Sequence, residues 1–118
     1  GDEHAVRGQG VILSRDDAIA RARAHFDSGD FRAVLARRVA IRTESQEPAS
    51  GGELDRYVAE EVQPELEVLG FSCRIARHER AQGPFLIAER IEDDALPTVL
   101  GYGHGDVTRG QAERWQEG

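Results

Sequence analysis

The sequence has no lysine, no asparagine, no methionine and a single cysteine. One thiol allows no intramolecular disulfide, which fits a cytoplasmic setting, and Cys73 then reads as a small apolar strand residue. All 15 basic residues are arginine, set against 22 acids for a formal net charge of −7. That balance argues against a nucleic-acid or anionic-membrane partner, which usually needs a basic patch. No stretch approaches the roughly 20 apolar residues of a membrane span. The start also lacks a basic-then-apolar signal pattern, so a soluble protein is expected. The all-arginine basic set matches G+C-rich bacterial codon usage. With no methionine, the chain is expected to begin downstream of its initiator.

A chain of 118 residues is at most one small domain. Such a chain buries roughly 65% of its unfolded surface, enough for a modest core. Residues 1–13 read as a flexible arm, with His4 solvated and Val11, Ile12 and Leu13 able to dock it. Ser14 to Asp17 has the form of a capping box. The helix it opens runs to about Asp27, with Ile19, Ala22 and Phe26 on one face and His25 off it. Ser28-Gly29-Asp30 breaks the chain, and Asp30 can cap a second helix. Along that helix Phe31, Val34, Leu35, Arg38, Val39 and Arg42 recur at helical spacing. Arg37 and Arg38 read as solvent-facing charge. Thr43 to Gly52 is a polar loop.

Glu53 to Leu69 carries the strongest helical pattern, with Leu54, Tyr57, Val58, Val62, Leu66 and Leu69 as its apolar stripe. Gly70 is its stop signal, and Pro64 should kink it or divide it. Glu60, Glu61, Glu65 and Glu67 read as its wet face rather than as metal ligands. From Phe71 the period changes to two: Phe71, Cys73 and Ile75 alternate with polar residues as a half-buried strand ending at His78. Gln82-Gly83-Pro84 turns the chain into a second strand, Phe85 to Ile91. Glu92-Asp93-Asp94 is a solvated acidic turn. A third strand is expected over Thr98 to Leu100. The order predicts an α/β fold in which helices cover a mixed β-sheet.

That third strand would deliver Gly101-Tyr102-Gly103-His104-Gly105-Asp106. Glycines permit positive φ and close approach, and open α/β sheets place ligands at the carboxyl ends of their strands. An imidazole two residues from a carboxylate in that setting suggests a metal ligand and the group that orients it. The same loop resembles a glycine-rich phosphate cradle. Thr108 to Gly110 nevertheless delays any helix, and no lysine is present to meet the phosphate. His104 as an ordinary hydrogen-bonded loop residue is the plain alternative. A non-catalytic α/β binding or oligomerisation domain is the alternative for the whole chain.

Gly103-His104-Gly105-Asp106-Val107, after a strand and before Trp115, resembles the first metal-ligand motif of the zinc hydrolases of peptidase family M-twenty. That family includes acetylornithine deacetylase, succinyl-diaminopimelate desuccinylase, aminoacylase and glutamate carboxypeptidase. The resemblance spans residues 14–118 in element order and the last twenty or so in motif. Thr43-Glu44-Ser45 also fits the Ser/Thr-rich loop that follows a helix in the family. Many members have proline two or three positions after the Asp, where this chain has Thr108 and Arg109.

The resemblance implies that His104 is a ligand to one of two zinc ions, with cobalt or manganese as substitutes. Asp106 joins the catalytic set as the group that steers the imidazole. It implies hydrolysis of amide or peptide bonds in small acylated amino acids or dipeptides. The family's other ligands and its general base have no counterpart here, so 14–118 is expected to be the N-terminal portion of a catalytic domain, inactive alone. Its cut sheet would leave a free edge able to pair with a second copy as a homodimer.

Overall fold

Ser14 opens the first helix with both halves of a capping box in place: its hydroxyl accepts the Asp17 N–H at 3.1 Å, and the Asp17 carboxylate accepts the Ser14 N–H at 3.1 Å. The computed structural model describes residues 14–116, so the arm expected over 1–13, with His4, lies outside the described residues. The described chain divides into two units, up to Ala36 and from Arg37 onward.

In the first unit α1 covers Arg15–Asp27 and ends at Gly29, whose φ of +87° reverses the chain. Helix α2 covers Asp30–Val39, its last three residues falling in the second unit. Its first bond runs from the Ala33 N–H to the Gly29 carbonyl. Gly29 is therefore the cap, and Asp30, expected in that role, is the first residue inside. The Ser28 hydroxyl accepts the Asp30 N–H at 3.3 Å and does the capping work expected of Asp30. Phe26 and Phe31 face each other with ring centroids 5.8 Å apart. Neither helix buries a residue, so the apolar residues placed on their faces from the sequence remain largely exposed.

The second unit holds the long helical stretch, which Pro64 divides. Segment α3 is Gly51–Arg56 and α4 is Gln63–Val68, with a π-helical turn over Tyr57–Val62 between them. Proline has no N–H to donate, and its ring crowds the carbonyl four residues back. The register widens just before it, and the Gln63 N–H reaches the Val58 carbonyl, five residues back. At the far end Gly70 takes φ +87°; its N–H bonds the Glu67 carbonyl, and the Phe71 N–H bonds the Leu66 carbonyl. That pairing is a Schellman cap and fulfils the stop signal.

Strands β1 (Ser72–Ala76) and β2 (Phe85–Glu89) then pair antiparallel, Cys73 opposite Ala88 and Ile75 opposite Leu86. Strand β2 ends two residues short of Ile91, where the Arg90 guanidinium turns back to the Leu69 carbonyl at 2.9 Å. The fold is thus mixed helix and sheet, as expected at that coarse level. The third strand is not formed. Val99 and Leu100 are 91% and 94% exposed, and the sheet among the described residues has two strands. An extended apolar run becomes a strand only when a neighbour supplies the opposite half of its hydrogen bonds, and no described segment does so beside Thr98 to Leu100. In place of a mixed sheet there is the antiparallel pair and one isolated parallel bridge, Glu44 with Val107. The buried centre is small: Ile41, Leu54, Thr43 and Ser50. No helix among the described residues is long and apolar enough to cross a membrane.

Candidate functional site

His104 and Asp106 meet. The imidazole Nδ1 lies 3.0 Å from Asp106 Oδ1 and 3.1 Å from the Asp106 carbonyl oxygen. Both neighbours accept only, so the hydrogen-bond network assigns the proton to Nδ1. The lone pair then sits on Nε2, which has no hydrogen-bond partner among the described residues. The side chain is 68% exposed.

Asp106 is itself held. Its Oδ2 accepts the Ser45 hydroxyl at 2.8 Å. That hydrogen bond, ahead of the one from His104, keeps the Asp106 carboxyl below its ordinary pKa against the opposing effect of desolvation. The backbone on either side is fastened to the same segment. The buried Thr43 hydroxyl donates to the Gly105 carbonyl at 2.7 Å, and Val107 bridges the main chain of Thr43 and Ser45. Further along, Glu44 Oε2 accepts the Gly110 N–H at 3.0 Å, and Arg109 donates to the Gln46 carbonyl at 2.8 Å. The Gly110 N–H, followed by Arg42, lowers the Glu44 pKa. Trp115 closes the loop by donating its indole N–H to the Gly110 carbonyl at 2.8 Å.

The glycines serve a narrower purpose than expected. Gly29 and Gly70 are the positive-φ glycines of the described chain, so 101, 103 and 105 are not used for left-handed backbone. Gly101 and Gly103 have open space where a Cβ would stand, whereas a Cβ on Gly105 would run into the Tyr57 ring. Gly105 is there for close approach alone. A cleft of about 770 Å³ opens beside the loop, with Tyr57, Val58, Val62 and Leu66 on one wall and Pro84 to Leu86 on another.

Among the described residues, no three His, Cys, Asp or Glu side chains converge as a metal-binding group. His104 and Asp106 fit a zinc centre as one ligand and its orienting carboxylate, and the remaining donors would have to come from elsewhere. The helical acids are engaged otherwise. Glu61 and Glu65 take Arg37 at 2.7 Å each, Glu65 also takes Arg38, and Gln63 donates to Glu67 at 2.8 Å. Arg38 is therefore not simply solvent-facing, and its Nε is buried without a partner. In the acidic turn Asp93 accepts the Ala95 N–H at 2.8 Å, and Glu92 pairs with Arg90.

Thr43 and Ser45 were visible in the sequence as part of a polar loop, but nothing there tied them to Asp106. They lie about sixty residues away, and their side chains reach the loop only after the chain has folded back. Comparison of the chain with family models, with curated proteins and with solved structures finds no match in any of the three.

Proposed function

We propose that this chain is the N-terminal part of a zinc-dependent hydrolase of peptidase family M-twenty, acting on amide or peptide bonds of small acylated amino acids or dipeptides. The observation that carries the reading is the pairing of His104 Nδ1 with the Asp106 carboxylate, which leaves Nε2 as a free donor atom. Metal-ligating histidines characteristically give their other ring N–H to a carboxylate in this way. Zinc would supply the Lewis acid that polarises the scissile carbonyl. In this chain His104 would offer Nε2, and Asp106 would hold the proton on Nδ1 and raise the basicity of the ligand. The general base and the other ligands would come from residues outside it, so the chain alone would be inactive.

The exposed apolar run around Val99 and Leu100 supports the same reading, because a larger sheet would cover it. It equally favours a second reading, a non-catalytic α/β binding or oligomerisation domain whose partner covers that surface. Self-association belongs to both, since the outer edges of β1 and β2 have no partner strand among the described residues. The discriminating experiment measures zinc content and N-acyl-amino-acid hydrolysis for this chain and for a form extended to its natural end. Two zinc ions and activity in the extended form alone are expected, with both reduced by His104→Ala. Metal-free, inactive protein in both forms would overturn the hydrolase reading in favour of the binding domain.

A further inference from the structure

We infer that Ser45 is a positioning residue for His104, acting through Asp106 to keep the imidazole proton on Nδ1 and the Nε2 lone pair outward. A carboxylate two residues along a loop is not enough to do this. Asp106 is substantially exposed and can rotate its carboxylate into water. That would leave the Asp106 carbonyl at 3.1 Å as the remaining acceptor at Nδ1 and let the imidazole drift toward the Nε2 tautomer it prefers in water. Ser45 removes that freedom. By donating to Oδ2 at 2.8 Å it leaves Oδ1 as the oxygen facing His104, at 3.0 Å. The chain Ser45 hydroxyl, Asp106 carboxylate, His104 imidazole therefore has a single direction of donation at each end, both into the carboxylate. The backbone that carries the hydroxyl is itself held, because the Ser45 N–H bonds the Val107 carbonyl and the Val107 N–H bonds the Thr43 carbonyl. Ser45 and Asp106 are thus registered by main chain as well as by their side chains.

That Nε2 is a ligating atom rests on the hydrolase reading; that Ser45 sets the tautomer does not. The test is nitrogen-15 NMR of His104 in the metal-free chain, at a pH where the imidazole is neutral, for the wild type, Ser45→Ala and Ser45→Thr. Val107 amide exchange is followed in parallel. The wild type should show His104 protonated mainly at Nδ1. Ser45→Ala should raise the Nε2-protonated fraction clearly above the wild type while Val107 stays protected, the Asp106 carbonyl still holding part of the population on Nδ1. Ser45→Thr, which keeps a hydroxyl, should restore the wild-type ratio. A tautomer unchanged in Ser45→Ala would overturn the inference. So would loss of Val107 protection together with the tautomer, which would make Ser45 a fastening of the loop rather than a positioning residue. Zinc binding by the extended protein is scored separately, so failure of the hydrolase reading leaves this result standing.

Discussion

The Val107 N–H donates to the Thr43 carbonyl at 2.9 Å, so the residue that follows Asp106 is tied to a segment from the other end of its unit. The tie is short, a single bridge, and it depends on the side chain beside it. The Thr43 hydroxyl donates to the Gly105 carbonyl at 2.7 Å, and Thr43 is only 4% exposed. Thr43→Val keeps the shape and deletes the donor, leaving a carbonyl short of its partner. The expected cost is about 1–3 kcal/mol. It should appear as a lower urea midpoint with an unchanged slope, and as faster exchange at the Val107 amide. An unchanged midpoint would mean that water replaces the hydroxyl without penalty.

Gly105→Ala places a methyl group against the Tyr57 ring, whereas Gly103→Ala meets nothing. The first should cost about 1–3 kcal/mol as overpacking. The second should stay within about 0.5 kcal/mol of the wild type. Combining Gly105→Ala with Tyr57→Ala removes the clash, so the pair should be less destabilised than the sum of the single changes. Strict additivity in thermal or urea unfolding would show that the ring swings aside.

Local signals carried much of this fold into the sequence. Pro64 announced the break in the long helix, Gly70 its end, and the alternation from Phe71 the hairpin, because each acts within a few residues of itself. The π-helical form of the break was not legible, since proline alone permits a kink, a bulge or a stop. The third strand failed for a different reason: Val99 and Leu100 have the composition of a strand, but pairing is a property of two segments. In the loop, His104 and Asp106 could be read together because they are two residues apart. Ser45 could not be tied to them, since only the folded chain brings it to Asp106.

Acid should loosen the start of α1. The Ser14 hydroxyl and backbone N–H hold the Asp17 carboxyl below its ordinary pKa. A carboxyl lowered in the folded state contributes stability above its unfolded pKa and loses it as pH falls through the folded one. Protection of the first-turn amides of α1, taken relative to their intrinsic exchange rate at each pH, should therefore fall once pH drops below the ordinary aspartate range. In Asp17→Ala it should be lower from the start, with no such pH step. A step of the same size in that variant would assign the effect to another acid.

Asp106→Ala leaves His104 in the chain and keeps the main-chain carbonyl at 3.1 Å from Nδ1, but removes the carboxylate acceptor, and so separates the presence of a ligand from its orientation by that carboxylate. In the form extended to its natural end, zinc affinity by calorimetric titration should fall about 10–100-fold. Asp106→Asn retains an acceptor oxygen without the charge, and should fall between that variant and the wild type, because a charge-assisted hydrogen bond is the stronger one. His104→Ala should lose more than either, having lost the donor atom itself. Wild-type affinity and zinc content in Asp106→Ala would mean that the carboxylate orients nothing that matters to the metal. The His104–Asp106 contact would then be an ordinary loop hydrogen bond.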